Sequence, residues 1–241
     1  MRRSIGVAGT ILAGVAVVAS VVRRPLKAHV AEGTLPGRFG SWLNSYLNRP
    51  SYRLMAAALD LEPEDVFLDV ACGWGEFLVV FGSKARRVAG IDVSEEKVVL
   101  ARQRLADRIA SGTAEVVQGD AATLPWEEGA FSAVMCMDAF AFFPAPEQVL
   151  AEVLRVLRPG GRMLMQIGMK WPDGPPKQML HPATRVAGDE AAVRRMVEDA
   201  GFGEISISYG LVGGESRLGN LASRLAVASD ELRIVGAVKP R

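Results

Sequence analysis

The sequence predicts an α/β fold: a doubly wound sheet of seven mostly parallel strands, preceded by a hydrophobic N-terminal helix. Three observations support this fold class. From residue 65 onward, short apolar segments alternate with segments of helical periodicity. The first apolar segment leads into a tight turn that contains Gly73 and Gly75. The second ends at the acidic Asp92, where the carboxyl end of a parallel strand would contribute to a ligand site.

Runs of apolar and β-branched residues, bounded by turn residues, predict the individual strands. In chain order the strands are Val66–Val70, Arg87–Val93, Ala114–Gln118, Phe131–Met137, Arg162–Met169, Ile205–Tyr209 and Leu232–Val238. The helices predicted between and after them are Glu76–Phe81, 95–110, Pro146–Leu157 and Asp189–Ala200. Ser94 is predicted to cap the second helix, and Gly201 is predicted to end the last one. This alternation implies a parallel sheet with helices on both faces.

Composition excludes several classes of function. The formal net charge is +1, so nucleic acid is not an expected partner. Cys72 and Cys136 both fall at the ends of predicted strands, which fits a reduced compartment and provides no metal-ligand spacing. His29 and His181 are the only histidines, which excludes a histidine-rich metal site and argues against a Ser-His-Asp hydrolase. No metal is expected.

The N-terminal segment, residues 1–24, predicts a membrane anchor. Ser4 to Val22 is uncharged and apolar, lies between arginine pairs, and would span roughly 28 Å as a helix. A cleaved signal peptide, an interfacial helix or a helix buried on the protein are the alternatives. Residues 25–60 are interpreted as a linker and N-terminal helices, which pack on the domain, cover its pocket or present an aromatic face to the membrane interface. Residues 61–241 form the predicted catalytic domain.

The stretch Phe67-Leu-Asp-Val-Ala-Cys-Gly-Trp-Gly-Glu-Phe77 combines a strand, a glycine turn and a helix start. Glycine lets a ligand approach the backbone closely, and the carboxylate of Asp69 disfavours a pyrophosphate and suits a cation. This stretch resembles motif I of the class I S-adenosylmethionine-dependent methyltransferases. The loop that begins Gln118-Gly-Asp120 and the segment Val149–Gly161 also resemble that family, and the resemblance covers about residues 50–170 well.

The resemblance implies a Rossmann-like sheet with one late antiparallel strand, and S-adenosyl-L-methionine as cofactor. In it, Asp92 accepts hydrogen bonds from the ribose hydroxyls, Asp120 accepts from the adenine amino group, and the Ala121 amide meets an adenine ring nitrogen. The third glycine of a dinucleotide fingerprint is replaced by Leu78, which argues against an NAD-dependent enzyme. The residues that the resemblance assigns to the cofactor are Asp69, Ala71, Gly73, Trp74, Gly75, Asp92, Asp120, Ala121 and Met137.

Two positions in the turn depart from the family pattern. Ala71 stands where the family usually has its first glycine, which is a mild change. Trp74 stands where the family often has a small or hydroxylated residue. Its ring either covers the cofactor and shapes the acceptor side, or packs on a neighbouring helix; the sequence leaves both interpretations open.

The expected reaction is in-line methyl transfer from a sulfonium, in which the protein chiefly positions the reactants. An acceptor that must lose a proton could use Asp138 or His181 as general base. Aromatic residues at 140–143 and 170–181, together with the anchor, predict an apolar or membrane-resident acceptor such as a quinone, a sterol-like molecule or another lipid. Because S-adenosylmethionine is made and kept in the cytosol, the catalytic domain is expected to face the cytoplasm. A non-catalytic cofactor-binding protein and a nucleotide-dependent oxidoreductase are the alternatives.

Overall fold

The structure is a computed structural model of the 241-residue chain, and it describes residue 49 and residues 51–169, 189–211 and 231–241. The chain divides into two compact units. One unit, residues 1–54 and 210–231, contains few described residues, whereas the other, residues 55–209 and 232–241, holds the sheet. The predicted anchor, most of the predicted linker region, and His181 lie outside the described residues. Within the described ranges, no helix is both long and apolar enough to cross a bilayer.

Seven strands form one sheet in the order β3-β2-β1-β4-β5-β7-β6. Neighbours from β3 to β5 pair in parallel, and β7 pairs antiparallel to β5. The structure therefore confirms the predicted Rossmann-like, mostly parallel sheet with a late antiparallel strand. The strands are β1 Val66–Val70, β2 Arg87–Asp92, β3 Ala114–Gln118, β4 Phe131–Cys136, β5 Leu157–Met169, β6 Gly203–Leu211 and β7 Glu231–Val238.

Helices lie between and beside these strands. After a helix at 51–59, the α-helices are α1 Glu76–Val80, α2 Glu95–Arg104, α3 Ala106–Ala110, α4 Pro146–Val156 and α5 Glu190–Asp199. Ser94 caps α2 as predicted, because its hydroxyl accepts a hydrogen bond from the Lys97 amide. The single helix predicted over 95–110 is wrong in one respect. The buried Leu105, with φ −102° and ψ 12°, leaves the helical conformation and divides it into α2 and α3.

The start of β5 also differs from the prediction. The sequence placed it at Arg162, after a turn at residues 158–161. In the structure Leu157 already pairs with Phe131, and Arg162 pairs with Ala133, so the register shifts between these two pairs. The intervening Pro159 and glycines bulge out of the ladder, which allows one strand to contain the turn.

Alternate residues of the central strands face opposite sides of the sheet. Leu68 and Val70 of β1 belong to a hydrophobic cluster with buried residues of α4 and α5. Phe67, next to Leu68, faces the other side, where its ring centroid lies 5.7 Å from that of Phe77 in α1. Helices therefore cover both faces, which leaves the carboxyl edge of the parallel strands as the natural place for a ligand.

Candidate active site

The glycine turn after β1 has an unusual backbone. Ala71, Gly73 and Gly75 all have positive φ, at 58°, 54° and 71°. A Cβ added to Gly73 would meet no atom within 4 Å, whereas one added to Gly75 would lie 3.0 Å from the Ala101 Cβ. Gly73 therefore leaves the open space in which a ligand can approach the backbone, and Gly75 lets α1 pack against α2. Ala71, which replaces a glycine, holds a conformation that costs an L-residue about 1 kcal/mol.

Asp92, at the end of β2, ties this turn to the neighbouring strand. Its Oδ2 accepts a hydrogen bond from the Gly73 amide at 2.9 Å, and its Oδ1 accepts from the Ser94 amide at 3.0 Å. The residue is only 6% exposed. Each carboxylate oxygen can accept more than one hydrogen bond, so Asp92 can hold the turn and still accept from a ligand hydroxyl.

Asp69, two residues before the turn, is almost fully buried, with 3% of its surface exposed. Burial raises its pKa well above the usual range, and the negative charge of nearby Asp92 raises it further. The cost of ionising Asp69 would fall if a positive charge lay beside it. A cation bound beside Asp69 would favour its ionised form, and the predicted role of Asp69 toward a cationic ligand stays a prediction.

Arg104, a cation on α2, binds the middle of the glycine turn. The Arg104 guanidinium donates to the Trp74 carbonyl oxygen at 3.1 Å and forms an ion pair with the Glu76 carboxylate. The Lys97 ammonium lies 5.6 Å from the centre of the Trp74 ring, within the range of a cation–π contact. The Trp74 ring therefore contacts the neighbouring helix, and its role in covering the cofactor stays a prediction.

The loop after β3 carries the third group of predicted ligand residues. At the start of this loop, the Gly119 amide donates a hydrogen bond to the Asp92 carbonyl oxygen, which places the loop beside the end of β2. Asp120 is exposed, and its Oδ1 accepts from the Ala122 amide at 2.9 Å, while Ala121 is buried. The Asx turn orients the Asp120 carboxylate at the carboxyl edge of the sheet.

On the other side of β1, the buried side chain of Gln166 lies beside Asp138, the predicted general base. Asp138 follows β4 with φ at 54°, and its Oδ1 accepts a hydrogen bond from Gln166 Nε2 at 2.5 Å. Gln166 is 1% exposed, and within the described part of the chain its Oε1 has no hydrogen-bond partner. Met137, predicted to contact the cofactor, is buried beside Asp138. Sequence reasoning missed Gln166, although a glutamine among the apolar residues of a strand was a usable signal.

The aromatic residues after β4 divide between core and surface. Phe140 is buried, and its ring centroid lies 6.3 Å from that of Phe143, which packs partly against the core. Phe142 is 55% exposed. Burial raises the pKa of both the Cys72 and Cys136 thiols, as does the charge of Asp69, so neither is an activated nucleophile. Among the described residues no cluster suited to a metal ion is present.

Comparison with known proteins identifies the domain. Residues 68–165 match a family described as a methyltransferase domain. A demethylmenaquinone methyltransferase of Deinococcus radiodurans is 39% identical over 112 residues, covering 46% of this chain and 45% of that protein. A sarcosine/dimethylglycine N-methyltransferase of Halorhodospira halochloris is 28% identical over 160 residues, covering 64% of this chain and 57% of that protein. The chain spans about half the length of these curated relatives.

A solved structure extends the likeness over nearly the whole chain. The [4+2]-cyclase SpnF superposes with a TM-score of 0.60 at 23% identity, covering 94% of this chain and 95% of that protein. At this identity the likeness shows the fold alone, and a fold does not specify a reaction. The match over residues 68–165 confirms the predicted methyltransferase domain.

Proposed function

We propose that this protein, which carries an S-adenosylmethionine-dependent methyltransferase domain, methylates a small apolar or membrane-resident acceptor such as a quinone, a sterol-like molecule or another lipid. The observation that carries the proposal is the 39% identity to a demethylmenaquinone methyltransferase over 112 residues. A small water-soluble amine is the competing acceptor class, because another relative is named for sarcosine and dimethylglycine.

The residues at the ends of β1, β2 and β3 fit the cofactor. Gly73 leaves open space beside the turn, Asp92 can accept from hydroxyls, and the buried Asp69 favours a positive charge. Asp120 and Ala121 would hold the adenine. When bound, the cofactor supplies an activated methyl group, so these residues need only bind it, orient it and exclude water.

The acceptor is proposed to bind on the β4 and β5 side of the turn. There Asp138 is the proposed general base: its carboxylate takes the proton that a hydroxyl or N–H acceptor loses when its lone pair forms the new bond to carbon. The exposed Phe142 ends a short 3-10 helix, Phe140–Phe142, that follows β4, and it offers apolar surface near this side. His181 remains a second candidate for the base.

The apolar segment from Ser4 to Val22 is proposed to anchor the protein in a membrane, with the catalytic domain facing the cytoplasm. Support for this part of the proposal comes from the sequence, since the flanking arginines and the length of the segment suit a bilayer. An anchor would hold the site close to an acceptor that is itself dissolved in the membrane.

The test uses the full chain in detergent with S-adenosylmethionine labelled in its methyl group. Bacterial lipid extract is supplied in one reaction, and a mixture that contains dimethylglycine is supplied in another. Label is expected in the lipid fraction. Label only in the soluble amines contradicts the acceptor class. Binding of S-adenosylhomocysteine without transfer to any acceptor would favour a non-catalytic cofactor-binding protein, and binding of NAD instead would favour an oxidoreductase.

Two glycines provide a matched pair of variants for this assay. Gly73 and Gly112 both have positive φ, and an added Cβ would meet no atom within 4 Å at either position. Gly73→Ala and Gly112→Ala therefore impose a similar backbone strain. Only Gly73→Ala should reduce the transfer of label, because Gly112 lies in the turn between α3 and β3, away from the carboxyl edge.

A further inference from the structure

Gln166 is a buried polar residue that the cofactor site does not explain. It lies in β5 between Met165 and Ile167, both of which are buried in the main hydrophobic cluster. Gln166 is 1% exposed, and its Oε1 has no hydrogen-bond partner among the residues that the structure describes. Buried polar atoms in native proteins are nearly always paired, and leaving one unpaired is costly. An unpaired oxygen at the edge of an active site therefore indicates a group that binds there.

The orientation of the Gln166 amide follows from its neighbour. A carboxylate has only acceptors to offer, so the amide must turn its nitrogen toward Asp138, and the observed contact joins Nε2 to Oδ1 at 2.5 Å. The amide oxygen is thereby directed away from Asp138 and is left to accept. A hydrogen bond to an ionised group is also stronger than a neutral one, which keeps the side chain in this orientation.

The position of Gln166 in the sheet separates it from the residues predicted to bind the ribose and the adenine of the cofactor. The strand order is β3-β2-β1-β4-β5, and Asp92 and Asp120 follow β2 and β3. Asp138 follows β4 and Gln166 lies in β5, on the opposite side of β1 and its glycine turn. A group bound at Gln166 is therefore more consistent with the methyl acceptor than with the nucleoside of the cofactor.

We propose that Gln166 Oε1 accepts a hydrogen bond from a hydroxyl or N–H group of the methyl acceptor, and that this contact makes the enzyme select acceptors that carry such a donor. The inference rests on the proposed function and adds the chemistry by which the same site would recognise its substrate. Gln166 is a positioning residue, since Asp138 beside it would take the proton. A site built to bind a hydroxyl discriminates strongly against an analogue that lacks it.

The probe is a 1,4-dihydroxynaphthalene that carries a short isoprenoid chain and is kept reduced under anaerobic conditions. Its dimethyl ether, which has no donor, is the matched analogue. Binding of each to the protein saturated with S-adenosylhomocysteine is measured by calorimetry, and methyl transfer to the hydroquinone is measured separately. The parent protein should bind the hydroquinone about 10- to 100-fold more tightly than the ether.

The key variant is Gln166→Met, which has a similar shape and no hydrogen-bonding oxygen. It should bind the hydroquinone and the ether about equally, and it should raise the KM for the hydroquinone about 10- to 100-fold with a smaller change in kcat. Its affinity for S-adenosylhomocysteine should be unchanged. Its Tm should change little, because removal of the buried unpaired oxygen offsets loss of the hydrogen bond that Gln166 donates to Asp138.

Two further variants separate positioning from packing. Met165→Leu alters the adjacent buried side chain and should leave the preference for the hydroquinone intact. Gln166→Glu keeps an oxygen acceptor, but its carboxyl group must share a proton with Asp138, so hydroquinone binding should recover as the pH falls.

The outcomes distinguish this inference from the proposed function. Equal affinity of the parent and Gln166→Met for the hydroquinone overturns the inference, as does failure of the parent to bind it or a parallel loss of S-adenosylhomocysteine binding. Discrimination between hydroquinone and ether without methyl transfer would support the inference while contradicting the proposed function. Equal transfer by the parent and Gln166→Met would support the function and overturn the inference.

Discussion

The two ends of β1 carry two aspartates that are both shielded from solvent, and their pKa values shift in opposite directions. Asp65, just before the strand, and Asp69, near its carboxyl end, each have 3% of their surface exposed. Burial by itself would raise the pKa of Asp65, but hydrogen bonds from Arg162, the Glu62 amide and Ser132 outweigh it and lower that pKa to about 2. At Asp69, burial and the charge of Asp92 both raise the pKa.

Asp65 lies nearer the surface and has hydrogen-bonding and cationic partners, whereas Asp69 lies deeper and faces a like charge, so burial and partners together separate the two pKa values. At the amino end, Arg162 also donates to the carbonyl oxygens of Leu59 and Asp60, so it joins the preceding helix to β5 and Asp65. At the carboxyl end, Asp69 is opposed by a like charge and Gln166 Oε1 lacks a partner within the described residues. The buried carboxylate at the amino end is paired within the protein, whereas the buried polar groups at the carboxyl end are suited to a ligand.

The largest effect is expected from removing the cation at the amino end. Arg162→Met should lower the free energy of unfolding by roughly 3 kcal/mol, because it leaves the buried Asp65 carboxylate without its main partner. Urea unfolding measures this change. Arg87→Met is the matched control: Arg87 forms an exposed ion pair with Glu115, and its loss should cost less than about 1 kcal/mol. Equal effects of the two substitutions would show that the Asp65–Arg162 pair contributes no more to stability than an exposed ion pair.

The next effect concerns stability in acid. The ordinary pKa of Asp65 is 3.8 and its folded value is about 2, so its contribution is complete above about pH 4 and is lost as the pH falls through 2. The loss should be roughly 2 kcal/mol. Unfolding of the parent and of Asp65→Asn between pH 5 and pH 2 measures it. The parent should show the steeper decline, and parallel curves would exclude Asp65 as the source.

For Asp69, at the carboxyl end of β1, the dependence of stability on pH has the opposite sign. The folded pKa of Asp69 is raised, so its burial costs stability as the pH rises from about 4 toward that pKa. Asp69→Asn should therefore unfold no more easily than the parent at neutral pH. The affinity of the parent for S-adenosylmethionine should increase with pH as Asp69 ionises beside the cation, by at most about tenfold per pH unit.

Calorimetry from pH 6 to pH 9 compares the two proteins. Asp69→Asn should bind S-adenosylmethionine more weakly at high pH, and its affinity should lack the component of the pH dependence that Asp69 contributes. If both proteins show the same pH profile, Asp69 does not respond to the cofactor's charge, and the contrast with Asp65 would concern the free protein only.

The smallest effect concerns strain in the turn. Ala71 has φ at 58°, a conformation that glycine adopts without a steric penalty. Ala71→Gly should change the free energy of unfolding by less than about 1 kcal/mol, because relief of strain is offset by the greater freedom of glycine in the unfolded chain. Thermal unfolding measures the change, and cofactor affinity should stay within a few-fold of the parent. A large loss of affinity would mean that the strained backbone itself shapes the site.

Parts of the fold could be predicted closely because they depend on local patterns. β1 and β3 have the predicted bounds, since each is a short apolar segment between turn residues. The break at Leu105 and the early start of β5 at Leu157 were not predicted. Both depend on packing and pairing with other elements, which a local pattern does not contain.

The sequence by itself determined the fold class, the methyltransferase domain and the grouping of Asp69, Gly73 and Asp92 at one edge of the sheet. These follow from periodicity and from residues that lie next to strand ends. Only the tertiary structure decided that Asp65 meets Arg162 and that Gln166 meets Asp138. Contacts across 97 and 28 positions of sequence form only when the strands come into register. The pKa of Asp65 depends on its distant partner Arg162, so tertiary structure also decided which end of β1 is satisfied and which can receive a ligand.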